Sequence, residues 1–146
     1  MENTYRKAIC AVFVNKENKF LLGFNPRDKV YKMCQGIEDE TPKEACKREV
    51  KEELGIEICD ENIVEEFEET CRYNFEDKGV IFIDGKFIGQ ELKIFKINFD
   101  EEKMSFSQSN EFENFLWISS SELENFELSK KDYKLRAYKE IIKIIF

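Results

Sequence analysis

The sequence predicts a layered α/β or α+β domain, with a mixed β-sheet packed between α-helices. Short apolar runs of strand length recur along the chain, separated by polar turns. Two other stretches are helical in character, one carrying cap residues at both ends and one amphipathic. No Pro/Ser/Gly-rich linker and no solenoid-length repeat divides the chain. At 146 residues, 42% hydrophobic and 14% aromatic, it is expected to fold as a single domain over 1–146 with a substantial core.

The elements follow in order. KAICAVFVN (Lys7–Asn15) reads as a buried strand, and a polar turn leads into a second, KFLLGF (Lys19–Phe24). NPRDK is a loop, and VYKMC (Val30–Cys34) a short extended piece. Thr41 to Leu54 is the clearest helix. Thr41 can cap it, Pro42 suits the first helical position and Glu44 completes the T-x-x-E capping box. Gly55 stands where a helix C-terminal glycine belongs. An extended segment over Ile63–Phe75 precedes the strand VIFI, the DGK turn and a strand over Ile88–Phe99. NFLWI (Asn114–Ile118) is a further strand, and SSSELENF starts a short serine-capped helix. The chain closes on an amphipathic helix whose apolar side is Leu135, Tyr138, Ile141, Ile142 and Ile145.

Composition removes several classes of function. There is no histidine, which excludes a Ser-His-Asp or Cys-His mechanism and any His-ligated zinc. Acid–base work is left to carboxylates, Lys, Tyr or metal-bound water. A net charge of −8 argues against wrapping long nucleic acid, since that affinity comes from Lys and Arg on phosphates. A nucleotide or one end of an RNA is still compatible. The five cysteines form no C-x-x-C pair, and with no signal-like N-terminus they read as reduced thiols of a cytoplasmic protein. Cys10 and Cys46 lie on apolar faces, as core residues do. No apolar run is long enough to span a membrane.

The Thr41–Leu54 helix is crowded with acid. Glu49, Glu52 and Glu53 stand at i, i+3 and i+4, so they share one face, while Cys46, Val50 and Leu54 form an inward stripe beside it. Like charges at i, i+4 cost a few tenths of a kcal/mol on an exposed helix, a penalty that a shared divalent cation reverses. Arg48 can reach Glu44 or Glu52 and hold a carboxylate in position. EE pairs also occur at 65–66, 68–69 and 101–102, so a pair alone says little. The informative feature is the ordered string: Glu40, seven residues, then R-E-V-K-E-E-L-G-I from Arg48 to Ile56.

That string resembles the Nudix box, G-x5-E-x7-R-E-U-x-E-E-x-G-U with U apolar, and fits it from Glu40 to Ile56. The resemblance implies the Nudix fold, a mixed sheet sandwiched between helices, and hydrolysis of a nucleoside diphosphate linked to another group. It implies Mg²⁺ or Mn²⁺ held by Glu49, Glu52 and Glu53, with Gly36 offering a carbonyl. Catalytic candidates are Glu52, Glu53, Arg48 and Glu111, the last in NEF and a possible base. Further stretches, among them TYRKAICAVFVN, YKMCQGI, FIGQELKIFKINF, NEFENFLWIS and KKDYKLRAYKEI, resemble the bacterial RNA 5′-pyrophosphohydrolases and asymmetrical diadenosine polyphosphate hydrolases. On that resemblance Arg6, Gln35, Lys130 and the Arg72–Tyr73 pair match substrate contacts, whereas Lys93 is structural.

There are departures. Six residues before Glu40 stands Cys34 where the box has glycine, and QGIEDET is shorter than the family's QGGIDEGET. Tyr31 replaces the usual Trp, and Ser129 replaces the Phe of the FK motif. The expected activity is thus a metal-dependent pyrophosphohydrolase acting on the triphosphate end of RNA, as a monomer. The alternatives are splitting of diadenosine polyphosphates to ATP and AMP, clean-up of a modified nucleoside triphosphate, or nucleotide binding without cleavage.

Overall fold

The computed structural model describes residues 5–37, 40–74, 88–109, 111–125 and 132–146. Its strands are β1 (Tyr5–Val14), β2 (Phe20–Asn25), β3 (Val30–Lys32), β4 (Cys34–Ile37), β5 (Ile63–Asn74), β6 (Gly89–Asn98) and β7 (Asn114–Ile118). The helices are α1 (Pro42–Leu54) and α2 (Asp132–Ile145). The expected VIFI strand, the DGK turn and Lys130 lie outside the described residues.

β1 is the axis of a mixed sheet. One edge runs parallel to β6, from Tyr5 opposite Gly89 to Val14 opposite Asn98. The other edge pairs antiparallel with β4 over Ala8–Ala11 and touches β2 only at Val14. β5 flanks β6, and β2 carries β3 and β7. The single extended piece expected over Val30–Cys34 is therefore two strands. Its first half pairs with β2 and its second half with β1, and Met33 is the point where the chain changes partners.

Alternation along the strands splits the core into two layers. Cys10, Val12, Leu92 and Ile94 face α2 through Tyr138, Ile141 and Ile142. Ile9, Ala11, Phe13 and Phe95 face α1 through Cys46, Val50 and Leu54, the stripe expected from sequence. Truncating Leu54 to alanine in this layer would cost about 2–5 kcal/mol. Four cysteines are buried, and Cys59 is exposed. The side chain of Leu135 lies outside the described residues.

α1 begins and ends where its sequence says. Thr41 is extended, and its hydroxyl accepts the Glu44 N–H at 3.3 Å. Gly55 turns left-handed at φ 73° and donates its N–H to the Lys51 carbonyl at 3.0 Å. A Cβ at Gly55 would also come within 2.8 Å of Ser107. The short helix after β7 is a 3-10 turn over Ser120–Asn125. Its cap works through the acid: Ser119 donates its N–H and hydroxyl to Glu122 at 3.0 and 2.8 Å.

Candidate active site

α1 lies across β4, and the contact between them is made by a glycine and a glutamate. A Cβ on Gly36 would fall 1.9 Å from the Glu49 carboxyl carbon, so the Glu49 side chain occupies the space that any other residue at 36 would fill. Arg48 fixes this carboxylate, donating to Glu49 at 2.7 Å and to both oxygens of Glu40 at 3.0 and 3.1 Å. Glu52, mostly exposed, is reached at 3.4 Å. Of the two expected partners it is therefore Glu52 that is met, and Glu40 adds a two-pronged acceptor that matches the guanidinium fork. Burial raises the Glu49 pKa, and Arg48 offsets part of the rise.

Glu53 lines a cleft of about 260 Å³ together with Arg6, Lys32, Met33, Gln35, Gly36, Gln90, Glu111 and Tyr138. Burial pushes the Glu53 carboxyl up to about 8, and the charges of Glu49, Glu111 and Glu52 add to it. A hydrogen bond from the Cys34 thiol at 2.9 Å pulls in the opposite direction.

Arg6 enters the cleft from β1. Its Nε and Nη2 donate to the Gln90 amide oxygen at 3.1 and 2.7 Å, and Gln90 donates in turn to the Tyr73 hydroxyl at 2.5 Å. Arg72, the sequence neighbour of Tyr73, lies on the other face of the sheet. There it meets Glu91 at 3.4 Å and covers the Tyr5 ring at 5.1 Å. The Arg72–Tyr73 pair is thus divided by strand alternation: Tyr73 supports the cleft through Gln90, and Arg72 belongs to a surface network.

Glu111 reaches the cleft from the segment before β7. Buried Asn25 holds that segment by donating to the Glu111 carbonyl at 2.9 Å. Its carboxylate meets Arg27 at 3.4 Å and Lys32 at 4.0 Å. Gln35 and Gly36 line the cleft as expected, and Lys130 lies outside the described residues. The reading by sequence missed Gln90 and Lys32. Gln90 lies in FIGQELKIFKINF and Lys32 in YKMCQGI, both quoted for the resemblance, but neither residue was given a role.

Among the described residues, no three His, Cys, Asp or Glu side chains stand together as a metal-ligand group. The donor chemistry nevertheless fits a hard divalent cation. The donors are carboxylate oxygens beside a close-approach glycine, and Glu49 and Glu53 both carry raised pKa values that a nearby cation would reverse.

An acidic helix beside a polar, arginine-walled cleft is the frame of a phosphoanhydride hydrolase. The NUDIX domain model matches residues 4–138, and the chain belongs to the Nudix family. A protein of Hydrogenovibrio crunogenus (strain DSM 25203 / XCL-2) named RNA pyrophosphohydrolase is 30% identical over 122 residues, covering 78% of this chain and 73% of that one. A protein of the same name from Francisella tularensis subsp. mediasiatica (strain FSC147) is 28% identical over 121 residues, covering 79% and 78%. The solved structure of the E. coli dihydroneopterin triphosphate pyrophosphohydrolase matches in fold with a TM-score of 0.67 at 19% identity, over 98% of this chain and 99% of that one.

Proposed function

We propose that this Nudix hydrolase cleaves the 5′-triphosphate end of RNA with Mg²⁺ or Mn²⁺, releasing pyrophosphate or phosphate. The convergence of Glu53, Glu111 and Arg6 on one cleft carries the reading, because it sets carboxylates beside a cation that can hold a phosphate. The RNA pyrophosphohydrolases similar to this chain support RNA as the substrate. Glu49, Glu52, Glu53 and the Gly36 carbonyl would hold the metal. A divalent cation held there would supply neutralisation of phosphate charge and a lowered pKa for water. Arg48 keeps Glu49 in place, Arg6 and Gln35 hold phosphate oxygens, and Glu53 or Glu111 takes the proton of the attacking water. No helix among the described residues is long and apolar enough to cross a membrane. The reading is of a cytoplasmic monomer.

The test is product analysis with triphosphate-ended RNA and diadenosine tetraphosphate side by side, with Mg²⁺ or Mn²⁺, and with Glu52→Gln and Glu53→Gln as controls. Faster turnover of RNA, lost in the controls, supports the proposal. Faster formation of ATP and AMP assigns the dinucleotide instead. No turnover of either with either metal points to another nucleotide or to binding without cleavage.

A further inference from the structure

We propose that Lys32 is a second phosphate-binding cation of the cleft, facing Arg6 and aimed by Asp28. This rests on the reading of the cleft as the place where a phosphate chain is held.

Lys32 is the last residue of β3, opposite Gly23 of β2, and its side chain is only 14% exposed. Its ammonium donates to the Asp28 carboxylate at 2.5 Å and stands 4.0 Å from Glu111. The second distance is an ion pair without a hydrogen bond. A lysine ammonium has three donors, and one carboxylate occupies one of them. Capacity therefore remains for phosphate oxygens, on a residue that lines the cleft.

The charge balance of the cleft supports the same role. Glu53 and Glu111 both face this space, and the chain as a whole carries −8. A polyanionic substrate approaching such a site is repelled unless local cations offset the carboxylates. Arg6 and Lys32 are the two cations that line this space. Asp28 sits behind the ammonium, half-exposed, and restricts where it points.

Anchoring the 26–29 loop does not account for Lys32. Asn25 already ties that loop, accepting the Asp28 N–H on its side chain and the Lys29 N–H on its backbone carbonyl, both at 2.8 Å.

The experiment titrates inorganic tripolyphosphate, with and without MgCl₂, into the unaltered protein, Lys32→Gln, Lys32→Arg and Lys51→Gln. Lys51 pairs with Glu57 away from the cleft, so its variant controls for net charge. Lys32→Gln is expected to bind tripolyphosphate at least about tenfold more weakly, as loss of a charge-assisted hydrogen bond implies. Lys32→Arg should recover most of the affinity, and Lys51→Gln should match the unaltered protein. On a turned-over substrate the Lys32→Gln effect should fall on KM more than on kcat. Tripolyphosphate affinity unchanged in Lys32→Gln overturns the assignment, as does an unaltered protein that binds none. A melting-temperature loss with unchanged affinity would identify a purely structural lysine and also overturns it. Running triphosphate-ended RNA in parallel separates the two readings. Lys32-dependent binding without RNA turnover sinks only the substrate, and RNA turnover at an unchanged KM in Lys32→Gln sinks only the Lys32 assignment.

Discussion

Two networks stand back to back at one end of the sheet. Arg6 and Lys7 are neighbours on β1, Arg72 and Tyr73 on β5, Gln90 and Glu91 on β6, and the pleat sends the members of each pair to opposite faces. On one face Glu91 accepts from Lys7 at 2.7 Å and Thr70 at 3.1 Å and pairs with Arg72 at 3.4 Å. On the other, Gln90 accepts from Arg6 and donates to Tyr73. The two layouts are alike and their charges are not. A carboxylate at 91 is shared by two cations and offsets part of their charge. An amide at 90 accepts two hydrogen bonds from the guanidinium and adds no charge of its own. The same strand scaffold thus makes an ion-pair network on one side and an amide-centred hydrogen-bond chain at the cleft on the other.

The largest effects should separate the cleft from the surface network. Glu53→Gln and Glu49→Gln are expected to lower kcat by about 10²–10⁴-fold, the range for loss of a group acting on the transferred proton or the attacking water. Glu91→Gln should change it less than about twofold. Steady-state rates with Mg²⁺ decide this, and a comparable loss in Glu91→Gln would break the distinction. Gly36→Ala should displace Glu49, because the new Cβ lies 1.9 Å from its carboxyl carbon. Stability should fall by about 1–3 kcal/mol in denaturant titration, with activity falling more steeply than stability.

A finer test makes the two networks alike. Gln90→Glu replaces the amide beside Arg6 with a carboxylate and is expected to raise KM about tenfold with a smaller change in kcat. An unchanged KM would mean that neutrality at 90 is irrelevant to binding.

The pH dependence of stability should have opposite signs on the two faces. Glu53 is raised by burial from 4.5 to about 8, so the folded, metal-free protein holds a proton that the unfolded chain releases. Stability therefore falls as pH rises from about 4.5 to 8, by a few kcal/mol at most, and added Mg²⁺ should flatten the slope. Glu91 is lowered, chiefly by the Lys7 hydrogen bond. Its contribution is present above the ordinary carboxylate range and is lost on acidification, and it should be below about 1 kcal/mol. Thermal melts across pH, with Glu53→Gln and Glu91→Gln each removing one limb, check both signs.

Much of α1 could be read in the sequence because its signals are local. Thr41, Pro42 and Gly55 act within one turn of where they stand, and the inward stripe repeats at helical spacing. The box glutamates were found the same way. Gln90 was not assigned a role, because its importance comes from a partner 84 residues earlier, brought opposite by the parallel register of β1 and β6. Lys32 was missed for a similar reason, since the partner change at Met33 sets it at the edge of the cleft. The separation of Arg72 from Tyr73 follows from a period of two, yet a motif read as a unit hides it.

The distribution of cysteines has a practical consequence for labelling. Burial raises Cys10 and Cys34 well above the ordinary thiol range and takes Cys46 and Cys71 to about 12. All four stay protonated in neutral buffer and make poor nucleophiles. Cys59 alone is exposed, in the turn that follows α1, 3.2 Å from the Asn62 side-chain oxygen. The native chain therefore offers a single maleimide-reactive position outside the cleft. One fluorophore or spin label per molecule can be attached there without any engineered cysteine.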